Sequence, residues 1–215
     1  MTDRYDTSQL PEDQYEPGSN GKVLRNIRGI IDPDELGEAE TNALWRAQKK
    51  LISEVSSDQI FTVQDICNMH RLWLKSIFPW AGQLRTVNIS KGGFDFAQAR
   101  FIPTLMDEFE LKQLSTYTPC RFNSLDEIAH ALAEVHVELM LIHPFREGNG
   151  RLGRIVATLM ALQAGLPILD FSELDGKRRE EYFAAVRAGL DRDYLPMKRM
   201  FINIIGRSLP ASQGV

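Results

Sequence analysis

The chain has 215 residues and a formal net charge of −4, a length that makes one domain with a sizeable core and a balance that excludes a general nucleic-acid-binding surface. Cys67 and Cys120 lie far apart and match no metal spacing, so they read as reduced thiols and a cytoplasmic location is expected. No apolar run approaches a membrane span, and residues 1–6 do not read as a signal peptide, so neither membrane nor direct nucleic acid is an expected partner.

Residues 1–22 are polar and punctuated by Pro11, Pro17, Gly18 and Gly21, which predicts a strap leading into a body at 23–208, with a tail at 209–215. Tyr15 and Pro17 are its candidate docking points. Residues 37–55 are rich in Ala, Glu, Leu and Lys and predict a helix. Thr62 is placed to cap a helix over 62–75, with Val63, Ile66, Cys67, His70 and Leu74 down one side. The stretch 80–96 differs: 86–89 alternates like a strand, Lys91-Gly92-Gly93 can turn, and 94–96 alternates again, which predicts a short hairpin.

Helical spacing resumes at 102–115. From Leu125 the apolar positions fall at three- and four-residue steps to Ile142, with Asn123 or Ser124 as cap and Pro144 disfavouring helix at His143. A further helix opens near Asn149 and stops at Gly165, and two more are expected at 176–189 and 194–208. The fold class is therefore all-α with one short β-hairpin.

The most informative segment is residues 143–154, His-Pro-Phe-Arg-Glu-Gly-Asn-Gly-Arg-Leu-Gly-Arg. Gly148, Gly150 and Gly153 match the spacing of a dinucleotide fingerprint. That fingerprint requires a strand ahead of the glycines and β-α alternation after them, and neither is present. Between two helices, Gly148 and Gly150 instead allow unusual backbone conformations that aim N–H groups at one point, where a helix N-terminus also attracts an anion. Asn149 can add an amide donor, and Arg151 and Arg154 can grip phosphate oxygens. Glu147 reads as a Mg²⁺ ligand beside phosphates or as a plain surface glutamate. His143 reads as a general base or as a satisfied core histidine. His136 and His143 lack a third ligand at zinc spacing.

Residues 143–154 resemble the Fic signature, His-Pro-Phe-x-(Asp/Glu)-Gly-Asn-Gly-Arg-x-x-Arg, at every specified position. Residues 78–85, Phe-Pro-Trp-Ala-Gly-Gln-Leu-Arg, and the hairpin after them are similar to the family's Trp-Ala-Gly-x-x-Arg stretch and target-docking flap. The strap, with Tyr15, Pro17 and Gly18 ahead of 23–26, resembles family N-termini, so the likeness spans roughly residues 15–207. It implies a Fic-type bundle of about six to eight helices at 23–208, with a flap at about 84–97.

The implied activity is transfer of AMP from ATP to a Tyr, Ser or Thr hydroxyl of a target protein, with release of pyrophosphate. By the same resemblance His143 is the base and Glu147 holds Mg²⁺. Gly148, Asn149 and Gly150 form the anion hole, while Arg151 and Arg154 bind phosphate. Ile89, Ser90, Lys91, Gly92, Gly93 and Phe94 form the docking flap by strand addition, or else a plain exposed hairpin. Tyr182 and the helix near Asp175 are candidates for the base pocket or for core packing.

The alternatives are another phosphotransfer to protein, by UMP transfer or a death-on-curing-type kinase, and a non-catalytic nucleotide-binding module. The kinase-type relatives alter the second glycine, which Gly150 keeps.

Restrained members carry Ser/Thr-x-x-x-Glu-Gly/Asn. Here only residues 8–13 approach it, with Asp13 in the last place and Pro11 inside the would-be helix; residues 208–215 contain no glutamate. The resemblance therefore implies a toxin-type member restrained by a separate small antitoxin-like protein, with a type II topoisomerase subunit as candidate target.

Overall fold

The computed structural model describes residues 10–174 and 178–209; Ser8, Asp175 and the tail after Leu209 lie outside the described residues. The strap folds on itself through an isolated antiparallel bridge between Tyr15 and Leu24. The Asn26 side chain ties its far end, accepting from the Ile30 amide at 3.1 Å and donating to the Ile30 carbonyl at 2.9 Å.

Helix α1 (Pro33–Glu54) starts where Asp32 accepts from the amides of Asp34 and Glu35, with Pro33 in the first turn. Helix α2 (Val63–Leu74) opens with a reciprocal capping box between Thr62 and Asp65. Cys67 lies on its buried face, and both cysteines are buried free thiols.

The hairpin is smaller than its sequence suggested. Strands β1 (Ser90–Lys91) and β2 (Phe94–Asp95) pair antiparallel with Lys91 opposite Phe94. Gly92 and Gly93 both take positive φ, 57° and 77°, as a two-residue turn of this kind requires. Residues 86–89, expected as a strand, form none: only the Ile89 carbonyl bonds across the hairpin, accepting from the Phe96 amide at 3.3 Å. Thr86 is bonded instead to the Glu12 carboxylate, and the Val87 carbonyl to Arg85.

Helix α3 (Ile102–Phe109) runs through a π-helical stretch, Glu110–Leu114, into a last turn at Ser115–Tyr117. Helix α4 (Leu125–Ile142) begins at a Ser124–Glu127 capping box, which settles the choice between Asn123 and Ser124. It is the hub of the molecule, with buried residues around most of its circumference and α5 (Asn149–Gln163) and α7 (Leu195–Ser208) against it. Helix α6 (Arg179–Ala188) packs between α4 and α7.

The seven helices among the described residues are the expected all-α bundle with one hairpin. The main core lies between α2 and α7, and a second cluster of Ala43, Ala47, Trp73, Phe78 and Trp80 joins α1 to α2 and the turn after it. No helix among the described residues is long and apolar enough to cross a membrane.

Candidate active site

Helix α4 stops at His143, which takes the left-handed conformation (φ 52°, ψ 60°) as its C-cap and turns the chain into residues 144–148. Gly148, at φ 88°, turns it again into α5. A Cβ there would lie 2.7 Å from the Trp73 ring, so two independent reasons demand glycine.

Gly150 is different. It sits in the first turn of α5 without positive φ, and a Cβ would meet nothing within 4 Å. The expectation that both glycines adopt unusual backbone conformations is corrected: only Gly148 does. The missing side chain of Gly150 matters for what approaches from outside.

The loop is held from beneath. Asn149, 3% exposed, accepts from the Phe145 amide at 2.9 Å and donates to the Phe145 carbonyl at 2.7 Å. Its side-chain amide therefore closes the loop and is not the outward donor expected from sequence. Its backbone N–H still heads α5.

His70, fully buried on α2, accepts at Nδ1 from Gly82 N–H at 2.8 Å. Its proton must then sit on Nε2, which donates to the Glu147 carbonyl at 3.0 Å. Burial pushes its pKa down to about 4 and keeps this neutral form. The ring lies flat on Phe145, with centroids 4.0 Å apart.

Arg85, 1% exposed, donates from Nε to the His143 carbonyl at 2.7 Å. Its Nη groups reach Val87 and Ala97 at 2.6 Å and Ile142 at 3.3 Å. One guanidinium thus fastens both roots of the hairpin to the end of α4. Sequence reasoning gave His70 no role in the site; a polar residue on an apolar helix face, needing buried partners, was its signal.

Above the loop lies a cavity of about 560 Å³. One wall is His143, Glu147, Gly148, Asn149 and Gly150; a second is Ile89, Ser90, Lys91 and Phe96; a third is Leu174, Tyr182, Phe183 and Val186, with Arg146, Arg154 and Arg179 at its edges.

His143 Nδ1 contacts the Met140 carbonyl at 3.1 Å. A carbonyl only accepts, so Nδ1 carries the proton and the Nε2 lone pair remains available. The ring stacks on Phe96 at 3.7 Å. Burial pushes its pKa down to about 4, helped by the charges of Arg85 and Lys91 and opposed by the Met140 bond and Glu147.

Glu147 Oε1 accepts from Gly148 N–H at 2.8 Å. The Leu152 amide is taken by Gly148 O at 2.9 Å, so the amides of Asn149, Gly150 and Arg151 open α5 with no helical carbonyl behind them.

Arg151 does not line this cavity. Its guanidinium lies 2.7 Å from buried Glu40 of α1, 3.4 Å from Glu147 and over the Trp73 ring. Arg146, which the sequence reading passed over, lines the cavity instead. Among the described residues Glu147 alone supplies a carboxylate to the cavity lining, and no three metal-binding side chains gather at one place. One carboxylate fits a cation that arrives with phosphate oxygens.

The Fic/DOC family model matches residues 60–161. A probable protein adenylyltransferase Fic of Salmonella typhimurium is 31% identical over 171 residues, covering 77% of this chain and 78% of that one. The chain belongs to the Fic/DOC family. A second Fic relative, a probable protein adenylyltransferase of Sinorhizobium fredii, is 29% identical over 162 residues, covering 75% of this chain and 81% of its own. The crystal structure of the VirB-translocated effector BepC of Bartonella tribocorum, with bound AMPPNP, superposes with a TM-score of 0.73 over 91% of this chain and 97% of that one. At 24% identity that match speaks for the Fic fold alone.

Proposed function

We propose that this chain transfers AMP from ATP to a hydroxyl side chain of a target protein and releases pyrophosphate. The observation that carries this reading is one cavity into which both the unprotonated Nε2 of His143 and the opening amides of α5 face. The relatives named protein adenylyltransferase support the same chemistry.

The hydroxyl oxygen of the target attacks the α-phosphorus of ATP, and the bond from that phosphorus to the bridging oxygen of pyrophosphate breaks. The hydroxyl proton passes to His143 Nε2. Preorganised amides from Asn149 and Gly150, with the Arg154 and Arg146 side chains that line the same cavity, gather the phosphate charge without reorganising. The Arg151 side chain is engaged by Glu40 and by Glu147, beside the phosphate group that the resemblance assigns it. Glu147 would hold Mg²⁺, which would supply charge neutralisation to the phosphates. The apolar wall of Leu174, Tyr182, Phe183 and Val186 takes the base. The exposed edge of the hairpin offers strand addition to a target segment.

The restraint is proposed to come from a separate small inhibitor, because Glu12 of the stretch 8–13 is engaged by Thr86. This makes the chain a cytoplasmic toxin-type member, with a type II topoisomerase subunit as candidate target.

The test incubates the purified chain and its His143→Ala variant with α-labelled ATP, Mg²⁺ and bacterial lysate. A labelled protein made by wild type only, with ATP affinity unchanged in the variant, is the expected result. Transfer of γ-label instead would replace AMP transfer with a kinase, and retained activity in His143→Ala would remove the base.

A further inference from the structure

The stretch 8–13 approaches an inhibitory pattern in sequence, yet Glu12 has a different occupation in the fold. The turn Pro11–Asp13 lays it, 8% exposed, beneath the ascending root of the hairpin. There Oε1 accepts from the Thr86 amide at 2.7 Å and from the Thr86 hydroxyl at 2.6 Å. Thr86 precedes the paired residues, and this carboxylate supplies the acceptor that its N–H does not find in the hairpin ladder.

A hairpin with two residues per strand cannot fix its own orientation. Its direction comes from its roots. Arg85 fastens the Val87 and Ala97 carbonyls to the end of α4, and Glu12 fastens Thr86 to the strap. The strap in turn meets the active loop: Asp13 lies 3.4 Å from Arg146 Nη2, and the Tyr15 hydroxyl lies 3.5 Å from the same nitrogen. A carboxylate removed from water is costly unless well bonded. Used on the amide of a residue that is itself exposed, it adds little to stability and much to geometry.

We propose that Glu12 is a positioning residue that holds the hairpin in register with His143, so that the strap sets how tightly a target segment docks. This rests on the transfer reaction proposed above.

The experiment compares Glu12→Ala and Glu12→Gln with wild type, because glutamine keeps the accepting Oε1 and alanine removes it. Three quantities are measured: KM and kcat for a protein target found by labelling, affinity for a non-hydrolysable ATP analogue, and hydrogen exchange of amides 86–97. Loss of two bonds to one carboxylate predicts a rise of about tenfold in target KM for Glu12→Ala. Analogue affinity and kcat should stay within about twofold, exchange at 86–97 should accelerate, and Glu12→Gln should restore both KM and exchange.

Unchanged KM and exchange in Glu12→Ala would overturn the proposal. So would a loss of analogue affinity, or a Gln variant no better than Ala. If wild type labels no protein, the transfer reading fails on its own account, and hydrogen exchange alone then decides whether Glu12 holds the hairpin.

Discussion

The two glycines of the loop should respond in opposite ways to a single methyl group. At Gly148 the added Cβ meets the Trp73 ring at 2.7 and 3.0 Å and Leu74 at 3.4 Å. Trp73 cannot retreat: it is 1% exposed, and its Nε1 donates to the Glu40 carbonyl at 2.9 Å. Overpacking of this kind costs about 1–3 kcal/mol, and the left-handed backbone adds about 1–2 kcal/mol for any residue with a Cβ. Gly148→Ala should therefore lose roughly 2–5 kcal/mol, a fall in Tm of roughly 5–15 °C for a chain of this size.

Gly150 is helical with open space where its Cβ would stand. Gly150→Ala should gain about 0.5–1 kcal/mol from helix propensity. Its methyl nevertheless faces the cavity rim, where phosphate oxygens must approach the amides, so ATP-analogue affinity should fall at least about tenfold. Differential scanning calorimetry and titration calorimetry on the two variants read both effects. A Gly148→Ala protein as stable as wild type would refute the packing argument. A Gly150→Ala protein that binds the analogue normally would refute the placement of phosphate at this turn.

Three further outcomes follow from the same geometry. His143 is neutral at pH 7 because burial pulls its pKa down to about 4, so its base form persists as pH falls through 6.5 and is lost only towards 4. Histidine NMR should show no His143 titration from pH 8 to 5.5 in wild type, and Phe96→Ala, which uncovers the ring, should move the midpoint up towards 6.5; a wild-type midpoint near 6.5 sinks this. Arg85→Lys keeps the charge but loses the planar fork that serves four carbonyls, and should cost about 2–3 kcal/mol with faster proteolysis at the hairpin; unchanged cleavage would show that the hairpin roots hold without it. Arg151→Ala strands buried Glu40, so a double-mutant cycle with Glu40→Gln should give a coupling above about 1 kcal/mol in stability, and a value near zero would deny the pair a structural role.

Much of this arrangement is legible in the sequence, and what is not shares a cause. Helices were readable wherever an apolar stripe met a local cap, as at Thr62 and Ser124. The loop was readable because its residue types are contiguous. Partners distant in sequence were not. The Glu40 partner of Arg151 sits on another helix, and nothing beside the glycines announces it. Asn149 looked like an outward donor, and only the path of the loop turns its amide back onto Phe145. Residues 86–89 alternate as a strand does, yet Thr86 and Val87 bond to Glu12 and Arg85 and only Ile89 reaches across to Phe96, a substitution that period-two spacing cannot reveal.

The pair of hydrogen bonds between Asn149 and Phe145, with His70 beneath it, has a thermodynamic consequence. The loop's backbone is ordered when the chain folds, so a nucleotide arriving later has little disorder left to remove there. Binding at the loop should then show a small entropic penalty, and most of the ordering on forming the full complex should fall on the hairpin and on the target segment that joins it.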